Sequence, residues 1–231
     1  MACDYECAPH RGGWVAGVCA TVMALGLASG ASAPAAAQEP SNHTQAMQGL
    51  RHADASHRLA AMARLADIGT AADANAVMPH LRDDSPAVRQ FAMALVWRLW
   101  GRSGDPAVDA LYEQGVALMR AGELTQAVRV FSDIIARRPA FAEAWNKRAT
   151  LFFLLDQHEL SMKDCDEVLQ RIPLHFGALS GYAQMLAGRG QPERALQYLE
   201  RAFQVNPDMP DAKLAIEHLR RQVEARRKKS V

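Results

Sequence analysis

Little in this sequence points to catalysis. Its 231 residues contain no Gly-rich phosphate loop, no nucleophile elbow and no His-Glu pair at metal spacing. Charge of one sign is also scarce: 26 Lys and Arg stand against 25 Asp and Glu, a formal net charge of +1. Nothing global therefore selects nucleic acid or an acidic substrate. Cysteine is sparse too. Three of the four (Cys3, Cys7 and Cys19) lie in the first 20 residues, and only Cys165 lies beyond them. Removal of the start on maturation would leave no intramolecular disulfide. The uncharged run Trp14–Ser29 is shorter than the roughly 20 residues a comfortable membrane-spanning helix needs. No enzyme activity, cofactor or metal is expected.

The uncharged run follows Arg11 and leads into small residues ending Ala35-Ala36-Ala37, an A-x-A type cleavage site. Residues 1–37 are read as an export signal cut after Ala37, which places the mature chain in the periplasm or outside the cell. Asp4 and Glu6 oppose Arg11 in the leading segment. That leaves open an uncleaved leader serving as a membrane anchor, or a misassigned start. Polar residues 38–43, with Pro40, read as a disordered start.

What the sequence has in quantity is repetition. Leu111, Gly115, Leu118, Gly122, Ala127, Phe131, Ile134 and Pro139 form a pattern that returns 34 residues later. There it reads Trp145, Ala149, Phe152, Asp156, Ser161, Cys165, Val168 and Pro173. After another 34 it reads Leu179, Ala183, Leu186, Gly190, Ala195, Leu199, Ala202 and Pro207. This alternation of large, small and turn residues resembles the tetratricopeptide repeat. The resemblance implies an all-α, right-handed α-solenoid of antiparallel helix pairs, with three repeats over 108–141, 142–175 and 176–209. First helices are expected at about 106–121, 142–155 and 176–188, and second helices at about 124–137, 158–171 and 192–205. Each proline ends a second helix, because the residue before proline disfavours helical geometry. Residues 210–225 read as a capping helix and 226–231 as a frayed basic tail, the one feature suited to a membrane surface or an anionic partner.

Ahead of the repeats a looser echo runs at an offset of 31: Leu50-Arg51 with Leu81-Arg82, Arg58 with Arg89, and Ala61-Met62-Ala63 with Ala92-Met93-Ala94. Residues 44–104 resemble HEAT-type helical repeats. In that family an arginine at this place braces the Asp of a neighbouring turn, so the resemblance implies intramolecular roles for Arg58 and Arg89. Asp54 or Ser56, and Ser85 with Pro86, suit helix starts, and Gly69 and Gly101 suit C′ positions. Trp97 and Trp100 widen the apolar stripe of the second helix, as expected of a helix covered on more than one side. Two such units cannot bury a core alone, so 44–100 is expected to pack on the first tetratricopeptide repeat.

In such arrays the first helices supply the concave face. By register that face carries Tyr112, Val116 and Met119, then Asn146, Thr150 and Phe153, then Ser180 and Gln184. A clamp of Lys and Asn that grips C-terminal carboxylates in this family would fall on Tyr112, Val116, Asn146, Gly177 and Gly181. Only Asn146 matches. A mildly apolar groove with amides and hydroxyls remains, suited to an uncharged or apolar peptide or a partner helix. Packing of Tyr112, Met119 and Phe153 within the superhelix is the bland alternative. Cys165 is read as a buried core residue. Asp164, Asp166 and Glu167 are expected to diverge around the surface. The expected function is an exported, non-enzymatic scaffold or adaptor for a protein or peptide partner in the cell envelope. A self-associating structural protein is the alternative.

Overall fold

The computed structural model describes residues 40–229, and every regular element among them is helical. The expected leader lies outside the described residues. Within the expected disordered start 38–43, Asn42 and His43 are ordered, because Asn42 accepts from the backbone N–H of Gln45 and caps α1, His43–Gly49. Helix α2 spans Ala55–Ile68 under an Asp54 cap, and α4 spans Pro86–Trp100 under a Ser85 cap with Pro86 in its first turn. Pro86 fits there because the first N–H groups of a helix have no partner within it. Between them a short α3, Ala74–Val77, sits between 3₁₀ turns at Ala71–Asp73 and Met78–Arg82.

Gly69 and Gly101 do end α2 and α4, but not by the expected left-handed turn: their φ values are −70° and −71°. Gly69 is small for a different reason. A Cβ there would stand 2.5 Å from the Leu65 carbonyl oxygen and 2.9 Å from the Leu99 side chain. Both arginines of the looser repeat are internal braces. Arg58 Nη2 donates to Asp83 Oδ1 at 2.6 Å, and Arg89 donates to the Asp83 carbonyl and, at 2.6 Å, to Asp208 Oδ2.

The repeat region forms three helix pairs: α5 and α6 (Pro106–Arg120, Leu124–Arg137), α7 and α8 (Ala142–Leu154, His158–Arg171), α9 and α10 (Phe176–Gly188, Pro192–Val205). Each second helix stops two residues before its proline. The pre-proline residues Arg138, Ile172 and Asn206 are extended, with φ of −139°, −132° and −129°, as the clash with proline Cδ dictates. The turns within each pair need a left-handed residue, supplied by Gly122 (φ 78°), Asp156 (φ 60°) and Gly190 (φ 67°). Close crossings explain the small positions. A Cβ on Gly115 would meet the Phe131 ring at 2.7 Å, and Ser161 Oγ donates to the Ala149 carbonyl at 2.8 Å.

Asp164 departs from the surface position expected of it. It is buried, and Arg148 grips both its oxygens at 2.7 and 2.8 Å. Burial nevertheless outweighs that guanidinium and holds its carboxyl above the ordinary value. Helix α11, Ala212–Lys229, covers α10 with Ile216 and Leu219. It runs through Arg226 to Lys229, so those residues of the expected tail are helical.

The larger correction concerns docking. The N-terminal helices share a core not with the first repeat but with Phe176 and Leu179 of α9 and Ala202 of α10. Val108, Tyr112, Phe131 and Phe141 of the first repeat close a separate core. The third repeat instead offers the Phe176 ring, 5.1 Å from Trp97 and 5.4 Å from Trp100 between centroids. Arg82 adds a 2.7 Å bond to the Gln204 carbonyl. Each large side chain fully buried at this joint is worth roughly 1.5–3 kcal/mol, more than the exposed polar links around it.

Candidate peptide-binding groove

The first helices α5, α7 and α9 line one groove. Six of the residues expected there from register come together: Val116, Met119, Asn146, Thr150, Phe153 and Gln184. Tyr112 does not. It is buried among the rings of Phe131 (5.9 Å) and Phe141 (5.5 Å) in the core of the first repeat. Ser180 is half-buried and also lies off the groove. On α9 the facing row is Gly177, Gly181 and Gln184, spaced i, i+4 and i+7. A one-residue step along a helix turns about 100°, which carries Ser180 away from that row.

Register within the repeats could not find every wall. Trp97 closes one side from α4, outside the repeats, and a Cβ on Gly177 would stand 2.6 Å from its ring. Its excess over the apolar stripe of α4 was the available signal. Ser161 and Cys165 reach the floor from the second helix α8, and Arg120 and Lys147 supply cationic edges. Neither Gly177 nor Gly181 offers a side chain to the groove. The enclosed part of the groove is about 80 Å³, room for one anchoring side chain and well below the volume of a typical small-ligand site.

Beneath the groove lies a charge network that sequence reading missed. Glu143 is 1% exposed, and its Oε1 accepts from Asn146 Nδ2 at 3.0 Å and lies 3.5 Å from Lys147 Nζ. Its Oε2 is 3.0 Å from His175 Nε2. His175 Nδ1 accepts from the backbone N–H of Ala178 and caps α9. That bond needs a lone pair on Nδ1, which leaves Nε2–H to donate to the carboxylate. Burial alone would raise the Glu143 pKa. The His175 bond, the Lys147 charge and the Asn146 amide outweigh it and hold the carboxyl below its ordinary range. Trp100 stacks on the His175 ring at 4.1 Å, so the N-terminal segment lids this network.

Chemically, the groove presents apolar surface, amides and one anchoring slot. Thr150 Oγ1 already donates to the Asn146 carbonyl at 3.1 Å. Among the described residues no group of three or more His, Cys, Asp or Glu side chains is placed to hold a metal, and no helix is long and apolar enough to cross a membrane.

The described residues thus form an all-α solenoid with a groove along its first helices. The tetratricopeptide repeat family model matches residues 112–176, so that stretch carries tetratricopeptide repeats. A TPR repeat-containing protein of Rhizobium etli is 34% identical over 108 residues, which is 47% of this chain and 53% of that protein. The chain thus spans about half the length of that curated relative. Among solved structures, the first TPR of Spaghetti (RPAP3) bound to an HSP90 peptide is similar at a TM-score of 0.49 and 17% identity, covering 51% of this chain and 93% of that one. The Sgt2 TPR domain from Aspergillus fumigatus is similar at a TM-score of 0.49 and 20% identity, covering 54% and 83%.

Proposed function

We propose that the protein is a non-enzymatic scaffold that holds an extended, uncharged or apolar peptide segment of a partner protein in the groove of α5, α7 and α9. The observation that carries this reading is the lining itself. Val116, Met119, Phe153 and Met185 give apolar contact beside the Asn146 and Gln184 amides, around a slot that takes one side chain. A peptide strand uses such a surface by inserting an anchor and bonding its backbone to side-chain amides. The reading includes export to the cell envelope, supported by the leader 1–37 and its Ala35-Ala36-Ala37 site.

The test is selection of peptides from a random library by the full chain, followed by anisotropy titration. Apolar, uncharged peptides are expected, with Phe153→Asp weakening them at least tenfold, about 1.4 kcal/mol. Equal affinity for Phe153→Asp overturns the groove assignment. Export is tested by the N-terminal sequence of the native protein. Gln38 is the expected first residue, and Met1 would refute cleavage.

A further inference from the structure

We infer that a second cleft, where the N-terminal segment meets the turns between repeats, binds an amphipathic carboxylate: an apolar body ending in COO⁻. The cavity is about 600 Å³, within the range of sites that enclose a small ligand. One set of walls is apolar, formed by Met78, Trp100, Phe141, Ile172 and Leu174. Leu174 is 50% exposed although it sits beside this opening.

All the charged lining residues are cationic: Arg102, Arg138 and Arg171, with no Asp or Glu among them. Arg102 is held by the carbonyls of Gly69 and Ala66, which fix its guanidinium without neutralising it. Arg171 is bound to Glu167 Oε2 at 2.7 Å and to the Pro139 carbonyl at 2.8 Å, so its charge is balanced. Arg138 is exposed. Ser103 turns its hydroxyl to Asp109 at 2.6 Å, which keeps that carboxylate engaged. Two guanidinium groups without a carboxylate partner among the described residues therefore line the cleft, Arg102 held in place by carbonyls and Arg138 exposed.

Guanidinium forks match a carboxylate in bidentate fashion, and arginine is weakly hydrated enough to work against an apolar wall. An anion without an apolar body would leave the Trp100 and Leu174 side empty. A neutral apolar ligand would cover two cations that have no carboxylate partner. The chemistry has two sources, a fatty-acyl carboxylate and the C-terminus of a peptide.

Calorimetric titration of the full chain separates them, with octanoate against octanamide in one arm and N-acetyl-Leu-Phe as free acid against amide in the other. At least one acid is expected to bind at submillimolar concentration, with its amide at least tenfold weaker, and the arm that binds names the source. Arg138→Glu should lose that binding at least tenfold. Arg137→Glu changes the net charge equally from a neighbouring exposed position and should leave it unchanged, as should Phe153→Asp in the peptide groove. Failure of both acids to bind overturns the proposal. Equal binding of acid and amide does so too, as does an equal response to Arg137→Glu and Arg138→Glu. Loss in Phe153→Asp would move the ligand to the groove and also refute the cleft.

Discussion

The repeats and the segment ahead of them are built from the same material and hold together by different means. In the repeats, three helix pairs of near-equal length stack on their neighbours, and each feature returns at a fixed interval. Ahead of them the helices are 7, 14, 4 and 15 residues long with 3₁₀ turns between. That segment rests on the third repeat, more than 70 residues further along the chain. Periodicity encodes contact with the next unit. Irregular helices with surplus tryptophan encode contact with something distant.

The sharpest way to break this comparison is at the distant joint. Trp100 is 2% exposed and packs on His175 and Phe176. Trp100→Ala is expected to cost about 3–5 kcal/mol in urea unfolding, the usual range for a buried aromatic. The N-terminal segment should then unfold ahead of the repeats. A loss below about 1 kcal/mol would show that the ring does not carry the joint.

Glu143→Gln acts one layer deeper. It keeps an acceptor for His175 and leaves Lys147 without its buried counter-charge, at a cost of roughly 1–3 kcal/mol at neutral pH. The sign with pH follows from the depressed folded pKa. Ionised Glu143 stabilises the fold fully above the ordinary carboxylate value, and that contribution is lost as pH falls through the lower folded value. The stability gap between wild type and variant, measured by denaturation across acid pH, should therefore narrow as pH falls. A gap that widens in acid would contradict the network.

The smallest effect sharpens the other half of the comparison. Asp156 occupies the left-handed turn position that glycine fills at 122 and 190. A side chain there is strained in a way glycine is not. Asp156→Gly should gain about 0.5–1 kcal/mol and raise Tm by a few degrees, without touching the joint. A loss of stability would mean that the Asp156–His158 contact outweighs the turn strain.

The same division governs what could be read in advance. Helix limits in the repeats fell at their expected places because proline, turn residue and small residue each act on their immediate surroundings. Six groove residues were accessible for the same reason, being fixed by register on a single helix. Tyr112 was not, because its ring had a choice between groove and core, and Phe131 and Phe141 took it. Trp97 announced that α4 is covered on a second side but not by what, and His175 and the Glu143 network were illegible because they arise where distant parts of the chain meet. Asp164 followed suit: nothing nearby in sequence announces that Arg148 will fold back onto it.

Arg89 with Asp208 joins residues 119 apart, and Arg82 with the Gln204 carbonyl joins residues 122 apart. An ordinary solenoid behaves as a spring with two loose ends, able to stretch or unzip from either one. Among the described residues this one is pinned, Arg82 and Arg89 fastened beside the third repeat. Pulling on the C-terminal helix should therefore strain the N-terminal segment before it opens the middle. Folding of the chain must also wait for a contact that spans half its length.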